Sequence, residues 1–234
     1  KTELLITADS NYLVYVNGQV VGSLQYHDFP KYKVYDVYDL SDYVKVGKNE
    51  LLVIGYYQGE DSLQYKLGDA GVMYEVISND ETLCFSSKET LCRINAAYQC
   101  KDVHRYTAQL SFSFIYDSKV DADKYPLVNA IEKDGYDVLV PRPISKLVVG
   151  ERCPAKIYAH GAYYNPDDSA KTLREFSMKS KFVSLSREEM GFDYTVEKFP
   201  VENAVEFSTD EGDGIYLVFD LLQEHTGFLD LEFE

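Results

Sequence analysis

The sequence predicts an all-β protein, organised as two tandem antiparallel β-sandwiches, and three observations carry that prediction. Short runs of β-branched and aromatic residues recur along the whole chain, with turn signals spaced roughly 8–12 residues apart. Tyrosine (21 copies) and phenylalanine (12) are abundant while tryptophan is absent, a composition that suits pleated, half-buried surfaces. The dipeptide Asn17-Gly18 stands between two such runs, 12–16 and 19–21. Both of its residues accept φ > 0, which a two-residue type I′ hairpin requires.

The elements follow in order. Residues 1–8 read as a strand, Leu4, Ile6 and Ala8 alternating with Leu5 and Thr7, and Asp9-Ser10-Asn11 turn the chain into the hairpin. Residues 23–31 form a polar loop in which Pro30 blocks a ladder hydrogen bond. Residues 33–40 alternate again, with Val34, Asp36 and Tyr38 on one face and Tyr35, Val37 and Asp39 on the other. Ser41 to Val44 can make one helical turn capped by Ser41, Gly47 supplies a reversal, and 50–57 reads as a buried strand. A second hairpin is expected from 71–78 and 82–86 around Asn79-Asp80, then a weaker strand at 91–98 and an alternating one at 108–117, with Leu110, Phe112 and Phe114 on one face.

Residues 120–143 change character and end in Pro141-Arg142-Pro143, which predicts an extended, non-pairing segment. The domain boundary is placed there, giving domains 1–140 and 141–234. Strands are then expected at 157–164, 174–185, 192–198, 204–208, 215–220 and 228–234. A capping box, Ser186 to Glu189, interrupts them and is closed by Gly191. No 20–50-residue period repeats, which excludes solenoids and propellers.

With 45% hydrophobic and 26% charged residues the chain can build a sizeable core. A formal net charge of −16, from 39 acids against 23 bases, disfavours nucleic acid as a partner. No apolar run is long enough to span a membrane. The chain starts at Lys1 and shows no signal peptide. An internal piece of a longer chain is expected, its compartment undefined with a cytoplasmic leaning.

Cys84, Cys92, Cys100 and Cys153 match no zinc spacing. Four cysteines allow three pairings, and Cys84–Cys92 could bridge a hairpin, but reduced, partly buried thiols are the expectation for a chain of this length. The motifs of serine hydrolases, zinc proteases, phosphate-binding loops and EF-hands are all missing. His27, His104, His160 and His225 are scattered, and His225 reads as a solvated strand-end pair with Glu224. Among 39 acids, carboxylate pairs of glycosidase type must occur by chance and are not diagnostic.

Carbohydrate binding needs aromatic faces and a few planar hydrogen-bonding groups on loops. Two loops offer them: Gln25-Tyr26-His27-Asp28 with Tyr32, and Tyr56-Tyr57-Gln58 with Glu60 and Asp61. The candidate site residues are Tyr26, His27, Asp28, Tyr32, Tyr57 and Gln58, for a sugar bound with or without calcium; ordinary polar loops over strand-end tyrosines are the competing reading.

ADSNYLVYVNGQVVG (8–22), followed by YKVYDVYDLSDYVKVGKNELLVIGYYQG (32–59), resembles the N-terminal β-sandwich of bacterial α-L-rhamnosidases. In that family an Ala-Asp…Tyr…Asn-Gly hairpin precedes a Tyr…Asp-Val…Leu…Gly-x-Asn-x-Leu stretch. Later landmarks keep the family's order: GVMYEVIS, then SSKETLC with Leu91 near the usual Trp, and FSFIYDSK with Ser118-Lys119 in place of Ala-Arg. PRPISKL resembles the linker to the next domain. IYLVFDLLQEHTGFLDLEFE resembles a strand pair of the second sandwich, with Asp220 and Gly227 kept and Leu222 where Gly is usual.

The resemblance implies a galactose-binding-like jelly roll over 1–140 and a concanavalin-like sandwich over 141–234, incomplete at its C-terminus. It implies that catalysis, an inverting hydrolysis by acidic residues, belongs to a following (α/α)₆ barrel, so no catalytic residue is carried over. In some members an N-terminal sandwich binds terminal L-rhamnose with calcium, which makes a rhamnose-containing glycan and calcium the implied ligands and the catalytic barrel the implied partner. The expected role is a non-catalytic fragment that supports the barrel and contacts carbohydrate. The alternative is a free-standing carbohydrate-binding or adhesion module. An enzyme complete within the chain is disfavoured, because no nucleophile–base or metal constellation is visible.

Overall fold

Strands dominate the structure, a computed structural model that describes residues 1–100, 114–146, 150, 152–167, 169–192 and 205–225. The class is all-β: among the described residues there are several antiparallel sheets and one α-helix. The chain divides into two compact units, Lys1–Ser145 and Lys146–Glu234.

In the first unit β1 (Thr2–Asp9) is central, flanked antiparallel by β4 (Tyr32–Asp39) and β6 (Gly71–Ser78). β7 (Glu81–Phe85) extends the sheet at one edge and β12 (Val138–Pro141) at the other. A second sheet sets β2 (Asn11–Val16) between β3 (Gln19–Ser23) and β5 (Leu51–Tyr56). The core explains why they stack. Leu4, Ile6 and Ala8 of β1 meet Tyr12, Val14 and Val16 of β2, with Leu40 and Val76, in one buried cluster shared by the two sheets. Alternation in β2 buries every second side chain, whereas β1 is buried on both faces from Ile6 to Asp9, and each full burial of an aliphatic side chain contributes about 1.5–3 kcal/mol.

Both predicted hairpins form. Asn17 and Gly18 take φ of 51° and 79°, and Val16 pairs with Gln19 across them. Asn79 and Asp80, without a glycine, do the same at 50° and 66°. Of the two alternating faces of β4, the one carrying Val34, Asp36 and Tyr38 turns inward, with Val34 and Asp36 buried.

Several expectations are corrected. Residues 41–43 form the expected single turn, closed by Tyr43 N and Val44 N on Leu40 O at 2.9 and 3.1 Å, but the Ser41 hydroxyl accepts the Thr2 N–H at 3.4 Å instead of capping it. β5 is an edge strand and only half buried. The weak strand at 91–98 shrinks to two short pieces, β8 (Leu91–Cys92) and β9 (Tyr98–Gln99). β8 pairs with β11 (Val128–Asn129) and β9 with β10 (Ile115–Tyr116). Most of the strand expected at 108–117 lies outside the described residues. The segment before Pro143 does pair: β12 runs parallel to β4, and Arg142 N donates to Tyr35 O at 3.0 Å. An edge strand tolerates the proline, whose missing N–H costs nothing on an unpaired side.

In the second unit β13 (Lys156–Tyr164) is flanked antiparallel by β14 (Lys181–Ser184) and β15 (Gly214–Asp220). The strand expected at 174–185 begins instead as a helix, α1 (Leu173–Lys179), whose N-cap Thr172 accepts the Glu175 N–H at 3.0 Å. The predicted capping box is present and reciprocal. Glu189 N donates to Ser186 Oγ at 3.2 Å, Ser186 N to Glu189 Oε2 at 2.7 Å, and Gly191 ends the turn at φ 66°. Strands expected at 192–198 and 228–234 fall largely or wholly outside the described residues, and 205–208 form none. The four cysteines form no disulfide among the described residues, and Cys84, Cys92 and Cys153 are exposed instead of partly buried.

Candidate functional site

The two loops singled out in the sequence come together. His27 Nδ1 donates to Gln64 O at 2.6 Å, tying the loop after β3 to the loop after β5. Beside this contact lies a hollow of about 370 Å³, lined by Pro30 and Lys31 from one loop and Tyr57, Leu67, Gly68 and Asp69 from the other. A third segment completes the wall with Asp134 and Tyr136. The Tyr57 hydroxyl donates to Gly68 O at 2.8 Å, which fixes its ring at the rim. Asp61 Oδ1 accepts the Leu67 N–H at 2.6 Å and holds the same loop in shape.

Beneath the hollow sits a buried charge cluster. Lys33, with a side chain 2% exposed, donates to Asp9 Oδ2 and Asp28 Oδ1, each at 2.8 Å, and lies 5.7 Å from the centre of the Tyr136 ring. Asp28 Oδ2 also accepts the N–H of Val34 and the amide of Gln25, whose Oε1 takes the Ala8 N–H at 2.9 Å. The Tyr65 hydroxyl closes the cluster on Asp9 Oδ1, and a Cβ at Gly68 would collide with Asp9 Oδ2. Burial pulls the Lys33 ammonium down, but hydrogen bonds and charge from Asp28 and Asp9 outweigh it, so its pKa is raised. Burial and the bond to Asp9 push the Tyr65 phenol up to about 12.

A second cluster tethers the end of the first unit. Arg142 grips Asp36 through Nε and Nη2, and Nη2 also donates to Leu24 O at 2.9 Å. Asp36 accepts the Tyr12 hydroxyl as well, and Tyr12 and Tyr38 hydroxyls lie 3.0 Å apart. Burial first, then the hydrogen bond to Asp36, drive the Tyr12 phenol far above its ordinary value.

The six sequence-derived candidates therefore divide. Tyr57 lines the hollow. The Asp28 side chain is 5% exposed and bonded to Lys33, and Gln58 is buried and bonded to Glu60 O and Ser10 Oγ. His27 staples the two loops. Tyr26 lies against the Arg142 guanidinium, 5.2 Å from it, and Tyr32 is exposed and bridged through its backbone to Phe29. The sequence reading missed Leu67, Asp69, Asp134 and Tyr136. Only the Asp134-Gly135-Tyr136 turn signal pointed to any of them. Calcium takes about six to eight oxygen ligands. Among the described residues no three His, Cys, Asp or Glu side chains converge to hold a metal, so no role is derived for it.

Chemically, the hollow offers groups suited to binding a polar ligand. Its tyrosine rings offer faces for stacking, and its exposed carboxylates accept hydroxyl donors. The buried carboxylates beneath, Asp9 and Asp28, are both held by Lys33.

No protein-family model matches the chain, and no curated protein does. Solved structures do. A GH78 family rhamnosidase from Bacillus sp. GL1 matches with a TM-score of 0.61 and 24% identity, over 71% of this chain and 19% of that one. The α-L-rhamnosidase of Dictyoglumus thermophilum matches with a TM-score of 0.42 and 17% identity, over 72% and 22%. The chain thus spans about a fifth of the length of the rhamnosidases it matches, and over 71% of its length it has the fold found in the Bacillus enzyme.

Proposed function

We propose that this chain is a non-catalytic part of an α-L-rhamnosidase-like glycoside hydrolase, supporting a catalytic barrel elsewhere in the same protein and contacting carbohydrate at the hollow around Tyr57 and Tyr136. The fold likeness to the Bacillus GH78 rhamnosidase carries the reading, and the colinear landmarks of the sequence agree with it. An inverting glycosidase needs a general acid and a general base on opposite faces of the sugar, one of them with a raised pKa. The buried carboxylates at the site are locked in ion pairs, which favours support over catalysis. Two tyrosine rings and two carboxylates around one hollow fit a sugar ring, which presents an apolar face and a rim of hydroxyls.

The test is to obtain the complete gene and compare the full protein with residues 1–234 on nitrophenyl α-L-rhamnoside. The full protein should hydrolyse it and the fragment should not. A reading frame that stops at Glu234, or continues into a domain that is not helical, overturns the proposal. Tyr136→Ala in the full protein should raise KM for a rhamnose-terminated oligosaccharide at least several-fold while leaving hydrolysis of the nitrophenyl glycoside unchanged. Millimolar sugar binding by a fragment whose gene ends at Glu234 would instead identify a free-standing carbohydrate-binding module.

A further inference from the structure

Cys153 and His225 stand 72 residues apart, yet the second unit brings them into contact. In the pairing of β13 with β15, Lys156 at the start of one strand lies opposite Asp220 at the end of the other, so the flanking segments leave the sheet at the same end. Asp220 Oδ1 then accepts the Leu222 N–H at 2.7 Å, and Leu222 takes φ 67°, bending the chain back. The result places His225 Nδ1 3.5 Å from Cys153 Sγ, and the thiol is exposed.

A thiol bonded to an imidazole has a base in place for its proton, and the thiolate is the reactive form. The other cysteines lack that arrangement among the described residues. Cys84 is exposed and Cys100 half buried, and burial pushes both thiols up. Cys92 is exposed with no described imidazole against it, which makes it an internal reference.

We propose that Cys153, with His225 as its base, is a covalent modification site for low-molecular-weight disulfides of the glutathione type. The Cys153 proton passes to His225 Nδ1, and the thiolate attacks one sulfur of the disulfide. A new S–S bond forms to that sulfur while the original S–S bond breaks, its electron pair leaving on the departing thiolate. That thiolate takes the proton back from the imidazolium. Cys153 is oxidised, the departing half is reduced, and no further oxidant is required.

The 234-residue chain, incubated with glutathione disulfide at neutral pH and quenched in acid, is digested and the mixed disulfides quantified by peptide mass spectrometry. Cys153 should be modified about tenfold faster than Cys92 in the same molecules. His225→Ala should bring Cys153 down to the rate of Cys92, while Glu224→Ala, next in sequence, should leave it unchanged. Equal rates at Cys153 and Cys92 in the unaltered protein overturn the proposal, and that comparison depends on no variant folding. A Cys153 advantage that survives His225→Ala overturns it equally.

Discussion

Lys33 is buried between two carboxylates, so removing it strands negative charge in the interior. Lys33→Met should therefore cost about 3–5 kcal/mol, read as a fall in the urea midpoint at unchanged slope; an unaltered midpoint would mean that water reaches the cluster. The same groups set the alkaline limit of stability. Lys33, Tyr65 and Tyr12 all have folded pKa values above their ordinary ones. The folded state therefore holds protons that the unfolded chain releases from about pH 10 upward. That stability is fully present below pH 10 and is lost as pH rises through the folded values. Urea midpoints should be flat from pH 7 to about 8, decline slightly above that as the Cys84 and Cys100 thiols ionise in the unfolded chain, and fall most between about pH 10 and 12, less steeply in Tyr65→Phe. Residue-scale legibility was uneven for a physical reason. Alternation grouped Asp36 with Val34 and Tyr38 on one face without showing that the face is buried, and Arg142 meets Asp36 across 106 residues, a distance no local pattern encodes.

At the scale of elements, the parts that could be read from sequence were those whose energetics are local. Asn17-Gly18, Asn79-Asp80 and the Ser186–Glu189 box each specify their own backbone within four residues. The parallel pairing of β12 was hidden because its partner strand lies about a hundred residues earlier, and Pro-Arg-Pro by itself reads as a break. The helix at Leu173–Lys179 left a signal that the strand reading overrode, Thr172 followed three residues on by Glu175. The first hairpin shows how a local turn acquires long-range weight. The Asn17 side chain donates to Tyr43 O at 2.8 Å and to Asn49 Oδ1 at 2.9 Å, and its own oxygen accepts the Glu50 N–H at 3.1 Å. One turn therefore anchors the loop that delivers β5. Gly18→Val should cost about 2 kcal/mol through φ alone, since a Cβ there meets nothing within 4 Å. Gly18→Asn should recover most of that loss, because asparagine tolerates the left-handed region. If the two variants melt together, sterics and not backbone conformation govern the position.

For the molecule as a whole, the question is where the first unit ends. Composition places the boundary after residue 140, whereas compactness places it after Ser145. The difference is Arg142, which grips buried Asp36 and donates to Leu24 O. A chain of residues 1–145 should unfold in one cooperative transition. A chain of residues 1–140 keeps nearly all of β12 but leaves Asp36 buried with no cation, a loss of about 3 kcal/mol. For a unit of this size that lowers Tm by roughly 10 °C. Arg142→Ala within residues 1–145 should reproduce the lower melt, which separates loss of the guanidinium from loss of chain length. If 1–140 and 1–145 melt alike, Arg142 does not hold the unit together and the earlier boundary is the right one. If 1–140 falls while Arg142→Ala does not, the backbone bond from Arg142 N to Tyr35 O, and not the ion pair, is what the longer chain supplies.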